Sequence, residues 1–379
     1  MSKRRYRIAH LTTVHPRYDT RIFYKECIGL SEYYDVLLVV NDGKGDEVRS
    51  GIRIYDLGGE SASRLKRMIR DSRKMFRKAK NLKCDLYHFH DPELMFVGLK
   101  LMRLGKKVIF DVHEEVPDQI MSKPYLSEPL KKIISYLYRK TEKYVIGKLS
   151  GVVTATSHIR ERLEKKNPVI EDIKNYPVTV APQVTEKRKK ENAVCYVGTI
   201  AEHRGILEML EVIDKDVRLL LAGRFEDESI KKKCFRHEHW KYVDYVGFVD
   251  NREVKDVLAK AKAGMVVLHK LKRYEYSLPV KLFEYMEAGL PVIVSDIPFW
   301  CEIINDAKCG ICVDPLDTGR IRETISRLLT DAKWAEQLGK NGQKAVEKKY
   351  NWENEKIKLA DFYRKVLVGT PSRKKEQER

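Results

Sequence analysis

Short apolar runs rich in β-branched residues alternate with longer stretches of helical periodicity along the whole chain. In the first half these runs lie at 7–11, 35–40, 85–88, 107–111 and 151–154. In the second half they lie at 194–197, 217–221, 242–246, 264–268, 292–294 and 310–313. A strand, a helix and a further strand form the repeating unit of parallel, doubly wound sheets. The pattern predicts an α/β protein built from two Rossmann-like halves with a cleft between them.

This alternation breaks once, near Asn175-Tyr176-Pro177, and a charged stretch at 186–191 follows. We therefore predict a first domain over 1–177, a linker over 178–192 and a second domain over 193–350. A helix over 351–367 and a disordered basic tail over 368–379 complete the predicted organisation. Open parallel sheets bind ligands beyond the carboxyl ends of their strands, so candidate residues are sought in the loops that follow the predicted strands.

The segment SLPVKLFEYMEAGLPVIVSD, at 277–296, contains the signals for the start and the end of one short helix. Ser277 is a candidate N-terminal cap, and Pro279 is tolerated in a first helical turn. Gly289 suits a left-handed residue after the helix, and Pro291 prevents its continuation. A buried strand follows at 292–294, so the segment predicts a helix whose N-terminus points toward a ligand.

The chemistry of this helix centres on its first two turns. Unpaired amides and the helix dipole favour an anion at the N-terminus, and Lys281 adds positive charge there. Glu284 lies three residues later on the same face, where its carboxylate can accept hydrogen bonds from the two vicinal hydroxyls of a ribose. The alternative is an ordinary amphipathic helix on which Lys281 and Glu284 form a surface ion pair.

Segment 277–296 closely resembles the donor-binding signature of the retaining glycosyltransferases of family 4, two-domain enzymes of the GT-B fold. The resemblance implies that Glu284 binds the ribose of a nucleotide sugar. It also implies that the amides near Val280 and Lys281 hold the distal phosphate. Tyr276 occupies the register in which many family members carry a glutamate, so the segment does not identify the donor sugar.

Glycine and arginine follow the first strand of the second half, at Gly198 and Arg204. Glycine lets a backbone approach a phosphate and arginine can bind two of its oxygens, although most such sequences are simple turns. By resemblance Arg204 takes the place of the family's diphosphate-binding lysine, and Thr199 replaces its arginine. Two further segments resemble the family, and the second would frame the nucleotide base; their candidate residues are Arg224, Phe248 and Val249.

Three loops of the first half carry polar residues directly after predicted strands. The candidate residues for binding an acceptor are His15, Asp19, Arg21, His90, Asp91 and Glu114. His113 matches, by resemblance, the family position beside the reacting sugar carbon. The alternative for His113 is a structural histidine at the end of a strand.

The sequence predicts no required metal and no other cofactor. His88 and His90 share one face of a strand, as two metal ligands would, but the spacing indicates no third ligand. Asp214 and Asp216 match an Asp-x-Asp pattern, yet they precede a strand rather than follow one. We interpret them as a solvated turn.

The formal net charge of +19 predicts an anionic partner, and no motif of a nucleic-acid-binding protein is present. Two basic amphipathic stretches, at 64–83 and 130–149, favour an anionic membrane surface, although their apolar stripes could face the core instead. The sequence contains neither a spanning segment nor the apolar core of a signal peptide. Seven scattered cysteines predict reduced thiols. We expect a cytoplasmic protein, peripheral on the inner face of the cell membrane.

Together with these features, the resemblance to family 4 implies a retaining, metal-independent hexosyltransferase. It would move a sugar from a nucleotide sugar, UDP before GDP, to a glycan or lipid-linked acceptor in surface-polysaccharide synthesis. Arg204, Lys281 and the helix N-terminus would stabilise the leaving diphosphate, while Glu284 anchors the ribose and His113 polarises groups near the sugar. Two alternatives stay open: a sugar-nucleotide epimerase of the same fold, and a non-catalytic basic protein that binds nucleic acid or membrane.

Overall fold

The computed structural model of the chain describes residues 5–59, 67–121, 123, 126–178, 190–249 and 251–369. The chain divides into two compact units, Met1–Asn175 with Trp352–Arg379, and Tyr176–Asn351. Each unit buries two clusters of apolar side chains around its own sheet. Most of the predicted linker and nearly all of the predicted tail lie outside the described residues.

The first unit contains an eight-stranded sheet in the order β3-β4-β2-β1-β5-β6-β7-β8. Its strands are β1 Arg7–Leu11, β2 Asp35–Val40, β3 Glu47–Arg49, β4 Ile52–Asp56, β5 Leu86–Phe89, β6 Lys107–Val112, β7 Gly151–Thr154 and β8 Ile170–Asp172. All pairs are parallel except β3 with β4. The sequence did not predict β3, β4 and β8, because these short strands near the sheet edges lack a continuous apolar run.

Helices of the first unit follow the βαβ pattern, and they include two π-helical segments at Thr20–Cys27 and Arg67–Asp71. The other segments are Ile28–Leu30, Ser72–Leu82, Pro92–Leu94, Met95–Arg103, Val116–Met121, Glu128–Ile146, Ser157–Leu163 and Trp352–Val368. Trp352–Val368, the C-terminal helix, contributes Trp352, Phe362 and Tyr363 to the core on one side of the first sheet. No helix in the described ranges has the length and apolar character that crossing a bilayer requires.

The second unit contains a six-stranded parallel sheet in the order β11-β10-β9-β12-β13-β14. Its strands are β9 Ala193–Val197, β10 Arg218–Ala222, β11 Val243–Gly247, β12 Ala263–Val266, β13 Val292–Ser295 and β14 Gly310–Val313. Its helical segments are Glu202–Arg204, Ile206–Glu211, Glu228–Arg236, Glu238–Tyr242, Asn251–Lys260, Lys272–Tyr274, Val280–Glu287, Pro298–Ala307, Thr318–Thr330 and Ala332–Lys348. All six predicted strands of this half are present.

The order of the strands determines where each sheet can hold a ligand. In the first sheet β1 lies between β2 and β5, and in the second sheet β9 lies between β10 and β12. Connections leave such a central strand and its neighbour in opposite directions, which opens a crevice at their carboxyl ends. The candidate residues after β1, β5 and β9 therefore lie at the points where this topology places binding sites.

One sequence-based expectation about the cysteines is wrong. The structure pairs Cys301, on the helix Pro298–Ala307, with Cys312 on β14, and their Cα atoms lie 6.0 Å apart. This separation lies within the usual range for a disulfide, and the helix packs beside the strand. The other five cysteines are free and buried.

Candidate functional site

The helix Val280–Glu287 begins at the predicted place, but a different residue occupies its N-terminal cap. Pro279 is the cap, with φ −69° and ψ 115°, and no side chain caps the first turn. Ser277 lies too far upstream for this role, and its hydroxyl donates to the Tyr274 carbonyl at 3.2 Å. The predicted cap at Ser277 is therefore wrong, whereas the predicted left-handed Gly289 is confirmed at φ 71°. The first amides of the helix are left for water or a ligand.

Two cationic side chains of the second unit come together beside this helix. The Lys281 Nζ is buried, lies 3.7 Å from the centre of the Tyr196 ring and has no hydrogen-bond partner among the described residues. The Arg204 Nε is likewise buried and has no partner in the described part of the chain. Burial and the nearby Arg204 charge lower the pKa of Lys281 well below its usual value, and Glu284 opposes that shift. An anion bound here would compensate both cations.

Glycines keep the end of β9 free of side chains next to the Lys281 ammonium group. Gly198 has φ 135°, and a Cβ at this position would lie 2.9 Å from the Lys281 Nζ. Gly223, at the end of β10, has φ 142°, and a Cβ at this position would overlap the Gly198 carbonyl oxygen. Positive φ and these contacts exclude larger residues, so bare backbone lies beside the cation.

The remaining donor candidates lie at the ends of β9, β10 and β11. The Arg224 guanidinium stacks over the Phe248 ring at 4.1 Å, and Phe248 is otherwise exposed. Val249 packs against the core. Thr199 is exposed, and its carbonyl accepts a hydrogen bond from the Tyr196 hydroxyl at 2.8 Å. Arg224 and Phe248 thus form a flat, exposed surface on which a planar ring could stack.

In the first unit, the candidate residues gather around a carboxylate that the sequence analysis did not select. Asp111, at the end of β6, is fully buried and accepts two hydrogen bonds from Arg21, at 2.8 and 3.0 Å. His90 Nδ1 lies 3.1 Å from the same carboxylate and His113 Nδ1 lies 3.6 Å from it. Burial alone would raise the pKa of Asp111, but Arg21 and the two histidines hold it well below the usual value.

Arg21 reaches Asp111 from the π-helix Thr20–Cys27. Asp19 caps this helix by accepting hydrogen bonds from the Arg21 and Ile22 amides, each at 2.8 Å. Residues five apart lie one turn apart in a π-helix, which brings the Arg21 Nε within 3.2 Å of a Glu26 oxygen. Asp19 is thus a helix cap, and its predicted role in contacting an acceptor has no support in its hydrogen bonds.

His15 and Asp91 form a second pair at the same edge of the first sheet. The His15 Nδ1 lies 2.9 Å from an Asp91 oxygen. Asp91 also accepts hydrogen bonds from the Thr12 hydroxyl and from the Thr13 amide. Although burial acts against it, the Asp91 carboxylate raises the pKa of His15 above its usual value. His15 and His113 meet edge to face, with ring centres 5.2 Å apart.

The structure separates the predicted acceptor residues into two groups. Arg21, His90 and Asp91 are buried, and their polar atoms form hydrogen bonds inside the unit. They therefore support the accessible residues of the candidate site from the interior of the unit. Glu114 is exposed, and its carboxylate accepts a hydrogen bond from Gln119 at 2.6 Å. His15 and His113 retain partial exposure and are the histidines of this network that could touch a bound molecule.

One group of described residues could hold a metal ion, and it lies in the first unit. His10, Glu26, His88 and His90 are all buried, and their ligand atoms lie within 4.8 Å of one another. The strand pattern of the sequence indicates only His88 and His90, because His10 and Glu26 come from distant parts of the chain. In the second unit, the Asp214 carboxylate accepts from the Asp216 and Val217 amides, as a solvated turn would.

Two family models match this chain over its two halves. The model of "Glycosyl transferases group 1" matches residues 178–345, and that of "Glycosyltransferase Family 4" matches residues 27–174. The chain belongs to the group 1 glycosyltransferases. With two parallel-sheet, Rossmann-like units, this group 1 glycosyltransferase has the GT-B fold. The predicted family and fold class are confirmed.

Individual relatives of this glycosyltransferase are distant. An O-antigen chain mannosyltransferase B from Escherichia coli is 28% identical over 42% of this chain and 42% of the relative. The chain spans less than half the length of the first curated relatives that it matches. A sucrose-phosphate synthase structure from Thermosynechococcus elongatus has a TM-score of 0.76 at 18% identity, covering 97% of this chain and 100% of that one. Anabaena HepE in complex with UDP and glucose has a TM-score of 0.70 at 11% identity, covering 95% and 99%.

Proposed function

We propose that this group 1 glycosyltransferase binds a nucleoside-diphosphate sugar in its second unit and transfers the sugar with retention of configuration. The observation that carries the proposal is a pair of buried nitrogen atoms, the Arg204 Nε and the Lys281 Nζ, which lack hydrogen-bond partners among the described residues and lie beside bare backbone at Gly198. Two cations without hydrogen-bond partners at these nitrogens are costly unless a ligand compensates them. A diphosphate has the charge and the oxygen atoms to do so.

The proposed chemistry depends on stabilising the leaving group. The bond between the sugar and the diphosphate breaks, and negative charge develops on the diphosphate oxygen, which then takes the proton of the attacking acceptor hydroxyl. Arg204, Lys281 and the first amides of the helix Val280–Glu287 would stabilise this charge, each contributing about 2.7–4 kcal/mol. These groups could supply the positive charge that a metal ion supplies elsewhere, so we propose a metal-independent donor site.

One carboxylate, of Glu284, and one imidazole, of His113, have supporting roles in this proposal. Glu284 lies one turn into the helix and would accept hydrogen bonds from the ribose hydroxyls. His113, partly exposed and 3.6 Å from Asp111, would be held in place by that carboxylate and polarise groups at the reacting sugar carbon. Arg224 and Phe248 would carry the nucleotide base on their stacked surface.

The identity of donor and acceptor is proposed from the relatives. HepE is described in complex with UDP and glucose, and the Escherichia coli relative is an O-antigen chain mannosyltransferase. We therefore propose UDP before GDP as the donor nucleotide, a hexose as the transferred sugar, and a glycan or lipid-linked acceptor of surface-polysaccharide synthesis. The acceptor would bind the first unit near His15, His113 and Glu114.

An exposed apolar face supports a position at the inner face of the cell membrane. On the helix Glu128–Ile146, the exposed apolar side chains are Leu130, Ile133, Tyr136, Leu137 and Tyr144. The sequence left open whether this stripe faces the core; in the structure these side chains point to solvent. Exposed basic residues flank them at Lys132, Arg139, Lys140 and Lys143. A lipid-linked acceptor would be met at such a surface.

Thermal unfolding with UDP, GDP and ADP, each with and without a divalent metal, tests the donor site. A nucleotide at about 100 times its Kd should stabilise the wild type by about 2.7 kcal/mol, without metal. Glu284→Ala should lose most of this stabilisation. Glu323→Ala, which removes a surface glutamate paired with Arg320 three residues away, is the matched control and should keep it. No shift with any nucleotide would contradict the proposal.

The alternatives make different predictions in the same preparations. An epimerase would convert the nucleotide sugar into its free epimer without an acceptor. A non-catalytic binding protein would bind nucleic acid in a salt-sensitive manner that Glu284→Ala leaves unchanged. Sugar transfer that disappears with Glu284→Ala excludes both alternatives.

A further inference from the structure

Four side chains that can ligate a metal converge in the core of the first unit. His10 comes from β1, Glu26 from the helix Thr20–Cys27, and His88 and His90 from β5 and the residue that follows it. All four side chains are fully buried. They lie behind the partly exposed histidines of the candidate acceptor site, and the proposed transfer chemistry uses none of their inward-facing atoms.

The separations among these atoms suit one small ion. His10 Nδ1 lies 3.0 Å from His90 Nε2. The Glu26 Oε2 lies 3.6 Å from the Nδ1 atoms of both His10 and His88, and 3.9 Å from His90 Nε2. Ligands placed about 2.0–2.2 Å from a tetrahedral ion lie roughly 3.3–3.6 Å from one another, so small side-chain shifts would complete the site.

Hydrogen bonds on the outer side of the cluster orient two of the rings. His90 Nδ1 lies 3.1 Å from Asp111, which leaves its Nε2 facing the cluster. His10 Nε2 lies 3.3 Å from the Tyr363 hydroxyl, which leaves its Nδ1 facing the cluster. The same hydroxyl lies 2.5 Å from His88 Nδ1, so an ion bound at that nitrogen would replace this hydrogen bond. Metal-bound histidines are typically held by such outer partners.

The charges around the cluster also favour a cation. Arg21 donates two hydrogen bonds to Asp111 and one to the Ile173 carbonyl, and its Nε lies 3.2 Å from the Glu26 Oε1. Neither Glu26 oxygen has a hydrogen-bond partner in the described structure. One guanidinium therefore lies against two buried carboxylates. A buried carboxylate without adequate compensation is costly, and a divalent ion next to Glu26 would supply the missing positive charge.

We propose that His10, Glu26, His88 and His90 bind one divalent transition-metal ion, with zinc as the ion that best fits. Three imidazoles and a carboxylate, without sulfur, are suitable ligands for zinc, and four protein ligands leave no open position for chemistry. The ion would be structural: it would tie the helix Thr20–Cys27 to β1 and β5 and would fix the ring that orients Asp111. This inference does not depend on the proposed transferase activity.

The competing arrangement is a neutral cluster in which Glu26 carries a proton. While no ion is bound, burial raises the pKa of Glu26 well above its usual value. The variant Glu26→Gln separates the two arrangements, because a glutamine can replace a protonated carboxyl but is a poor zinc ligand. It should be tolerated in a neutral cluster and should lose the ion in a metal site.

The first experiment measures the metal content of untagged protein produced with added zinc and dialysed against a weak chelator. Wild type should retain about one zinc per chain, whereas Glu26→Gln and His10→Asn should retain at least tenfold less. His237→Asn is the matched control, because His237 forms a surface pair with Glu211 at 3.1 Å, and it should retain zinc. Wild type without zinc, or Glu26→Gln with a full complement, would overturn the proposal.

X-ray absorption at the zinc edge provides a second measurement that does not depend on the folding of any variant. The site predicts a first shell of nitrogen and oxygen at about 2.0–2.1 Å. A sulfur shell at about 2.3 Å would assign the zinc to cysteines and would overturn the proposal.

Discussion

Lys281 is a single residue whose burial is unfavourable for the stability of the fold. Its side chain is buried beside Tyr196, and its Nζ has no hydrogen-bond partner among the described residues. Burial of an unpaired amine is costly, and the contact with the aromatic face offsets only a part of that cost. Residues of this kind are typical of binding sites, where the ligand supplies the missing interactions.

We expect Lys281→Met to make the protein more stable and less able to bind a nucleotide. Removing an unpaired buried amine should raise the free energy of unfolding by about 1–3 kcal/mol, whereas loss of the cation should weaken nucleotide binding at least tenfold. Thermal unfolding and nucleotide titration measure the two effects. Lys262→Met, at a lysine hydrogen-bonded to Asn192, is the control and should change neither quantity appreciably. A less stable Lys281→Met that still binds the nucleotide would contradict this expectation.

At the scale of elements, the C-terminal helix is tied to the first sheet by charge as well as by packing. Asp172, at the end of β8, lies 2.8 Å from both the Lys174 and the Lys358 Nζ atoms. Ser157 donates a further hydrogen bond at 2.9 Å. Burial alone would raise the pKa of Asp172, but the hydrogen bonds and charges of Lys174 and Lys358 hold it below the usual value. The charged form of Asp172 therefore stabilises the attachment of the helix.

This shift predicts a pH-dependent effect of Asp172→Asn. Because the folded pKa is depressed, the stabilisation is complete above the unfolded value of about 3.9 and is lost as the pH falls through the lower folded value. The variant should therefore lose roughly 1–3 kcal/mol at pH 7, and its difference from wild type should shrink below about pH 4. Urea unfolding, followed by a probe in the first unit, measures this difference.

Asp361→Asn is the control for that measurement, because Asp361 forms an exposed pair with Arg364 on the same helix. Exposed pairs contribute little to stability, so this variant should be as stable as wild type at pH 7 and also below about pH 4. A deficit for Asp172→Asn that persists unchanged at low pH would indicate a loss of packing instead of a loss of charge.

At the scale of the whole molecule, the proposed membrane contact of one helix would account for part of the net charge of +19. Basic side chains flank the exposed apolar face of the helix Glu128–Ile146, where Ile133 is 55% exposed and Leu137 is 57% exposed. The other basic stretch, at 64–83, has apolar side chains that are partly buried in the core and partly exposed. Met75 is buried, Met68 and Ile69 are exposed, and 60–66 lie outside the described residues. The helix Glu128–Ile146 is therefore the stronger candidate for contact with a membrane.

We predict that the protein binds vesicles containing phosphatidylglycerol and phosphatidylcholine and that Ile133→Glu with Leu137→Glu weakens this binding by at least about 100-fold. Two apolar side chains that enter the interface contribute about 3 kcal/mol, and each basic residue adds about 1 kcal/mol. Sedimentation with the vesicles measures the partitioning. Val48→Glu, at an exposed valine on β3, should bind like wild type. Equal binding to vesicles of phosphatidylcholine alone would exclude the electrostatic contribution.

Several features of the site could not be predicted from the sequence, because they depend on contacts between distant residues. Asp111 precedes His113 by two positions and was visible as a strand end, but its partner Arg21 lies 90 residues earlier. Asp19 and Arg21 looked equivalent in the loop; the π-helix makes one a cap and the other a buried ion-pair partner. The cysteine pair was also missed, although its members are only 11 residues apart, because only the packing of a helix beside β14 brings Cys301 close to Cys312.

The sequence alone determined the α/β class, the six strands of the second sheet, the short helix before β13 and the family. Those features are encoded locally, in runs of apolar residues, in helix-ending glycine and proline, and in one contiguous signature. The tertiary structure alone decided which polar residues are buried and which are accessible, and whether the apolar stripe of Glu128–Ile146 faces the core or the solvent. It also brought His10 and Glu26 to His88 and His90, because the order of strands in a sheet places residues together that the chain keeps far apart.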